Sequence, residues 1–303
     1  MESVLECLPR GSRVAILRLR SLGDCVLTTP AIDILKRFRP DLRLAVFVEN
    51  RFREIFEGNP DLAEIHPPEL SALRRFRPRL CLNFHGGTRS AWMTELSGAR
   101  YRAGFGHYRQ QFVYNVQIPR GQEILRVDRK VHTAEHLASA IFFLGAPIVE
   151  IPRAKLFPAP PAPSNPEPYA VIHAVAATPE KTWASTHFLA VAAYLAQSGL
   201  SPVFIGAADD DLTPFRQYRT IQSSLSEIKR LLASAALFVG NDSGPAHMAA
   251  AFGVPSVVIF GPSDPAIWGP WRTSGEVVAA PGGMAGVTLA QVLGALQRLR
   301  VPA

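Results

Sequence analysis

Cysteine is scarce in this chain. Cys7, Cys25 and Cys81 are odd in number and widely spaced, which excludes a disulfide framework or a closely spaced zinc site and fits a reducing cytoplasm. No stretch approaches the ~18 uninterrupted apolar residues of a spanning helix. The opening Met1-Glu-Ser-Val has no basic-then-apolar signal pattern. No Gly-x-Gly-x-x-Gly follows a strand-like segment, and no Walker loop occurs. The histidines show helical metal spacing only at His132 and His136, where a helix face is the expected use. What is present is 303 residues, 48% of them apolar, enough for two α/β cores rather than one.

Positive charge is unevenly spread. Residues 1–157 hold 24 Lys and Arg against 16 Asp and Glu, a balance of +8, whereas residues 158–303 hold 8 against 9. The basic half is suited to an acidic partner: a phosphorylated substrate, an anionic bilayer surface or nucleic acid. A generally Arg-rich composition without a partner is the alternative.

Strand-like and helix-like segments alternate along both halves. Val14–Leu19, Arg43–Val48, Glu64–His66, Leu80–Asn83 and Tyr101–Gly104 read as strands, with helices over 25–38, 51–57, 88–96 and 132–144. Pro30 is expected to interrupt the first helix. Residues 158–168 are rich in proline and read as a semi-rigid linker. The pattern then restarts with Tyr169–His173 and closes with a helix over 289–299, expected to pack back on the first domain. The expectation is two Rossmann-like, doubly wound domains, 1–157 and 169–303, facing across a cleft.

Asn241-Asp242-Ser243-Gly244-Pro245-Ala246-His247 falls between an apolar strand and a small-residue helix. Ligands of open α/β sheets bind at such strand ends, and a helix amino terminus offers unpaired N–H groups to a phosphate. Simple helix capping by Asp242 and Ser243 is the competing reading. Thr178-Pro-Glu-Lys181 and the Gly206–Asp211 turn should converge on the same edge. Lys181 would meet a diphosphate and Asp209 or Asp210 a ribose; a surface lysine and a solvated turn are the plainer readings. Asp24, after the first strand, is either a proton acceptor or an N-cap.

The segments Arg18-Leu-Arg-Ser-Leu-Gly-Asp24, Asn83-Phe-His-Gly-Gly-Thr-Arg-Ser90, Glu180-Lys181-x-Trp183, Asn241–His247 and Phe260-Gly-Pro-Ser-Asp-Pro265 resemble glycosyltransferase family 9, the ADP-heptose:lipopolysaccharide heptosyltransferases. The resemblance runs through both halves in order. It implies a GT-B fold and inverting, metal-independent heptose transfer from ADP-heptose to an acidic lipopolysaccharide core acceptor. It also implies a cytoplasmic enzyme, peripheral to the inner membrane, that needs no cofactor or nucleic acid. By position, Asp24 would be the base and Lys181 the diphosphate cation. Thr178, Asp209, Asn241, Asp242, Ser243, Gly244 and His247 would hold the donor; Arg18, Arg20, His85 and Arg89 would serve the acceptor. Departures are Arg20 where a small residue is usual, His173-Ala-Val-Ala for His-Pro-Gly, and a short 272–287 segment. Another GT-B nucleotide-sugar enzyme, with a different donor or as an epimerase, and a non-catalytic nucleotide-sugar binder are the alternatives; the presence of Asp24 and Lys181 argues against the second.

Overall fold

A computed structural model describes residues 3–158, 167–176 and 178–299. The chain divides into two units, the first ending at Phe157 and the second beginning at Pro158. Most of the expected 158–168 linker lies outside the described residues.

The first unit runs β1 (Arg13–Leu17), α1 (Leu22–Phe38), β2 (Arg43–Phe47), α2 (Arg53–Phe56), β3 (Glu64–His66), α3 (Leu70–Phe76), β4 (Leu80–Asn83), α4 (Thr88–Glu95), β5 (Tyr101–Phe105), β6 (Val116–Ile118), α5 (Gly121–Leu125) and α6 (Thr133–Phe143). Its six strands are parallel in the order β3-β2-β1-β4-β5-β6. The central strands are apolar runs because helices cover both faces of a parallel sheet; Val14 to Leu17 and Leu80 to Leu82 are fully buried.

Pro30 does not interrupt α1. A proline at this position leaves the carbonyl four residues earlier without its helical donor. That carbonyl is Val26, and the Thr29 hydroxyl donates to it at 2.8 Å. The helix therefore passes through the proline, and it starts at Leu22 rather than Cys25.

The second unit repeats the plan: β7 (Tyr169–His173), α7 (Ser185–Gln197), β8 (Ser201–Gly206), β9 (Arg219–Gln222), α8 (Leu225–Ala233), β10 (Leu237–Asn241), α9 (Gly244–Phe252), β11 (Ser256–Phe260), α10 (Pro265–Trp268), β12 (Gly275–Ala279) and α11 (Leu289–Leu299). Its order, β12-β11-β10-β7-β8-β9, is all parallel. The last helix buries Val292, Ala295 and Leu296 in the core of its own unit.

Each sheet thus reverses its strand order once, between β1 and β4 and between β7 and β10. A crevice opens at such a point beyond the carboxyl ends of the strands. The residues there are Arg18 and Asn83 onward in one unit, and His173 and Asn241 onward in the other.

Candidate active site

In the second unit the loops after β7 and β10 are tied together by Asn241. Its side-chain amide donates to the Ala174 carbonyl at 3.1 Å, and its carbonyl oxygen accepts from Trp183 N–H at 3.1 Å. Asn241 is completely buried, and its side chain positions the two loops. Trp183, also buried, donates its indole N–H to the Val287 carbonyl at 2.9 Å. The short 272–287 segment is thereby fastened beneath the site.

Asp242 and Ser243 do not cap α9. The Asp242 carboxylate receives Lys181 Nζ at 3.0 Å, and the Ser243 hydroxyl meets His173 Nδ1 at 3.0 Å. No side chain caps the helix, whose first residue is Gly244, with Pro245 second. The amino terminus keeps its partial positive charge; Ala246 N–H donates to the Ser243 carbonyl at 3.1 Å, and among the described residues the Ser243 and Gly244 N–H groups have no partner. Pro245, lacking an N–H, costs nothing there. His247 sits buried one turn further along α9.

Burial holds His173 down to about 4, so its imidazole is neutral at pH 7. No motif pairs His173 with Ser243, which stands 70 residues further along the chain. The position of His173 as the last residue of β7, at the strand reversal, was the available signal.

The three aspartates after β8 have separate roles. Asp210 accepts from Ala207 N–H at 2.7 Å and Asp211 from Thr213 N–H at 2.9 Å, both closing local turns. Asp209 is exposed, and its carboxylate makes no hydrogen bond or ion pair among the described residues. Thr178 is exposed, with its carbonyl accepting from Lys181 N–H at 3.1 Å.

In the first unit Asp24 stands in the first turn of α1, behind the N-cap Ser21, which has φ 77° and makes no side-chain cap bond. Asp24 is therefore not the cap. A serine in that region is strained, a condition that clusters at functional sites. Arg18 Nη1 lies 3.6 Å from Asp24 Oδ1, with side-chain exposures of 6% and 21%. Arg18 Nε is buried without a hydrogen-bond partner among the described residues.

Asn83 ends β4 and accepts the His85 and Gly86 N–H groups at 3.0 and 3.1 Å. Gly86 has φ +73°, and a Cβ there would meet the Tyr108 ring at 2.6 Å. The turn needs glycine on both counts. It holds His85 at the edge, where burial and then Arg18 and Arg20 lower its pKa. Arg20 is exposed, whereas Arg89 donates to the Pro68 carbonyl at 2.6 Å. Arg18, Arg20, Asp24 and His85 therefore gather at one strand edge, and Arg89 is engaged with the backbone. His132 and His136 do not form a ligand pair: His132 Nδ1 accepts from Ala134 N–H and His136 Nδ1 from Gly121 N–H, both at 3.1 Å. Among the described residues no three His, Cys, Asp or Glu side chains gather to hold a metal ion, and no helix is long and apolar enough to cross a membrane.

The sequence model of glycosyltransferase family 9 (heptosyltransferase) matches residues 71–285. The chain belongs to this family. As a family 9 glycosyltransferase it is 25% identical to lipopolysaccharide heptosyltransferase 3 of Escherichia coli, over 84% of this chain and 85% of that protein. Its fold matches the family 9 glycosyl transferase of Veillonella parvula with a TM-score of 0.82 at 20% identity, over 95% of this chain and 97% of that one. The E. coli heptosyltransferase WaaC, solved with ADP, matches with a TM-score of 0.78 at 20% identity, over 95% and 99%. The fold of this glycosyltransferase is GT-B, with two Rossmann-like units.

Proposed function

We propose that this family 9 glycosyltransferase moves a heptose from ADP-heptose to a lipopolysaccharide core sugar, with inversion and without a metal. The observation that carries the reading is the amino terminus of α9. It has no side-chain cap, and the Lys181–Asp242 pair belongs to the same loops. That is the chemistry of a diphosphate site. A lysine ammonium has three donors; Asp242 takes one and holds the cation in place. The ADP of the WaaC structure and the name of the E. coli relative support the donor and acceptor classes.

In this reading Asp24 accepts the proton of the acceptor hydroxyl as its oxygen bonds to the anomeric carbon. The bond from that carbon to the ADP oxygen breaks on the opposite face, through an oxocarbenium-like state. Charge then grows on the leaving diphosphate, where Lys181 and the Ser243 and Gly244 amides stabilise it. Each such preorganised donor is typically worth about 3 kcal/mol. Thr178, Asp209 and His247 complete the donor side. Arg18, Arg20 and His85 face the acidic acceptor, and Arg89 reaches it only by leaving Pro68. The excess charge of the first unit would hold the enzyme at an anionic inner membrane surface.

The test is incubation with ADP-heptose and truncated core acceptors, with and without EDTA. Product mass gives the transfer, and the anomeric coupling in NMR gives the stereochemistry. One added heptose of inverted configuration, undiminished by EDTA, is expected. Transfer only from another nucleotide sugar would replace the donor, and loss with EDTA restored by a divalent ion would remove the metal-free mechanism.

A further inference from the structure

Seven arginines meet at the amino-terminal edge of the first sheet, the end opposite Asp24. Arg13 and Arg43 open the paired strands β1 and β2, and Arg79 immediately precedes β4 on the other side of β1. Arg10 enters from the turn before β1, Arg74 and Arg77 from the end of α3, and Arg100 from just before β5. They line a cleft of about 600 Å³ whose other walls are glycine, serine and proline, with no carboxylate.

Some of this charge has a structural use. Arg43 Nη2 lies 3.3 Å from Glu64 Oε1, Arg74 Nε donates to the Leu96 carbonyl at 2.8 Å, and Arg100 stacks over the Tyr101 ring at 5.4 Å. Crossover helices end at this edge, and their carbonyls attract cations. That accounts for Arg74 but not for Arg10, Arg13, Arg77 and Arg79. Among the described residues these four side chains make no hydrogen bond or ion pair. Converging guanidinium groups in a concave wall concentrate positive potential, which an anion would relieve.

We propose that the cleft binds a ligand carrying a diphosphate or clustered phosphomonoesters. A guanidinium fork matches phosphate oxygens two at a time, and four unengaged forks exceed what one phosphate can accept. Five-residue strands separate this edge from Asp24 by roughly 17 Å, so the bound group is not the reacting one. The same chemistry is offered by a soluble phosphorylated metabolite and by a phosphorylated lipid headgroup.

The test compares the full chain with Arg10→Gln/Arg79→Gln and with a charge-matched control, Arg126→Gln/Arg153→Gln. All four positions are exposed, and melting curves verify folding. Isothermal titration with inorganic pyrophosphate should show a salt-sensitive binding component that weakens at least tenfold in the cleft variant and persists in the control. Flotation with phosphatidylcholine vesicles containing phosphatidic acid identifies the source. Loss of flotation in the cleft variant alone indicates a headgroup, and equal flotation of all three proteins indicates a soluble ligand. Pyrophosphate isotherms unchanged in the cleft variant, or weakened equally in the control, would overturn the proposal.

Discussion

The Ser243 hydroxyl lies 3.0 Å from Nδ1 of His173, joining the carboxyl ends of the two strands at which the second sheet reverses its order. This bond fixes the N-cap residue of α9 without using the N–H groups of that helix. Ser243→Ala should therefore leave the fold intact and loosen the loop. A net hydrogen bond is worth about 1 kcal/mol, so ADP affinity should fall roughly fivefold by isothermal titration. Unchanged affinity would mean that the loop is held by its other bonds.

The same histidine should give the second unit an acid-sensitive stability. Burial keeps His173 neutral in the folded protein down to about 4, while an unfolded histidine titrates near 6.5. Between these values the unfolded chain binds a proton that the folded chain does not. Stability therefore falls as pH drops through that window, by about 2 kcal/mol at pH 5. Denaturant unfolding at pH 7 and pH 5 should show a smaller loss in His173→Asn than in the parent. His136, also lowered to about 4 by burial, leaves a residual pH dependence in the variant.

Asp24→Asn preserves shape and the contact with Arg18 but removes the carboxylate proposed as proton acceptor. Turnover should fall by ~10²–10⁴, with ADP binding unchanged because ADP is assigned to the other unit. A variant that keeps more than about a tenth of the rate would exclude Asp24 as the essential base.

The apolar runs of β1, β4, β7, β10 and β11 were legible because strands buried on both faces leave continuous hydrophobic segments. The loops that follow them were legible for the same reason. The edge strands β6 and β9 were not: Arg219-Thr-Ile-Gln222 is polar and half open to solvent, so only pairing with β8 makes it a strand. Helix α3, Leu-Ser-Ala-Leu-Arg-Arg-Phe, is too short for periodicity to declare it. The partner of Lys181 stands 61 residues away, and the sheet alone brings Asp242 beside it. The arginine cleft was hidden differently. Each arginine sits just before a strand or after a helix, and in sequence they appear only as diffuse positive charge.

Lys181 and Asp242 should act as a coupled pair. Asp242 is buried, and removing its cation leaves a carboxylate with less compensation. Lys181→Ala should cost about 1 kcal/mol of stability as well as turnover. The double variant Lys181→Ala/Asp242→Asn should recover part of the stability but none of the turnover. A cycle of melting curves and rates on the four proteins checks this; additive stability losses would show that the pair is not coupled.

The aspartate triplet offers the sharpest separation of structure from function. Asp210 closes its turn on Ala207 N–H, and Gln222 Nε2 braces the same turn by donating to the Asp210 carbonyl at 2.6 Å. Asp210→Ala should therefore lower stability by about 1 kcal/mol through a lost side-chain-to-backbone bond. Asp209 has no such task, so Asp209→Ala should melt like the parent. If its carboxylate meets the ribose hydroxyls, as the acidic residue after the second strand does in dinucleotide folds, ADP affinity should fall about tenfold. A comparison of ADP with 2′,3′-dideoxy-ADP locates the effect: the parent should prefer ADP, and Asp209→Ala should bind the two alike. Preference retained in Asp209→Ala and lost in a folded Asp210→Asn protein would transfer the ribose contact to Asp210 and make the Ala207 bond dispensable.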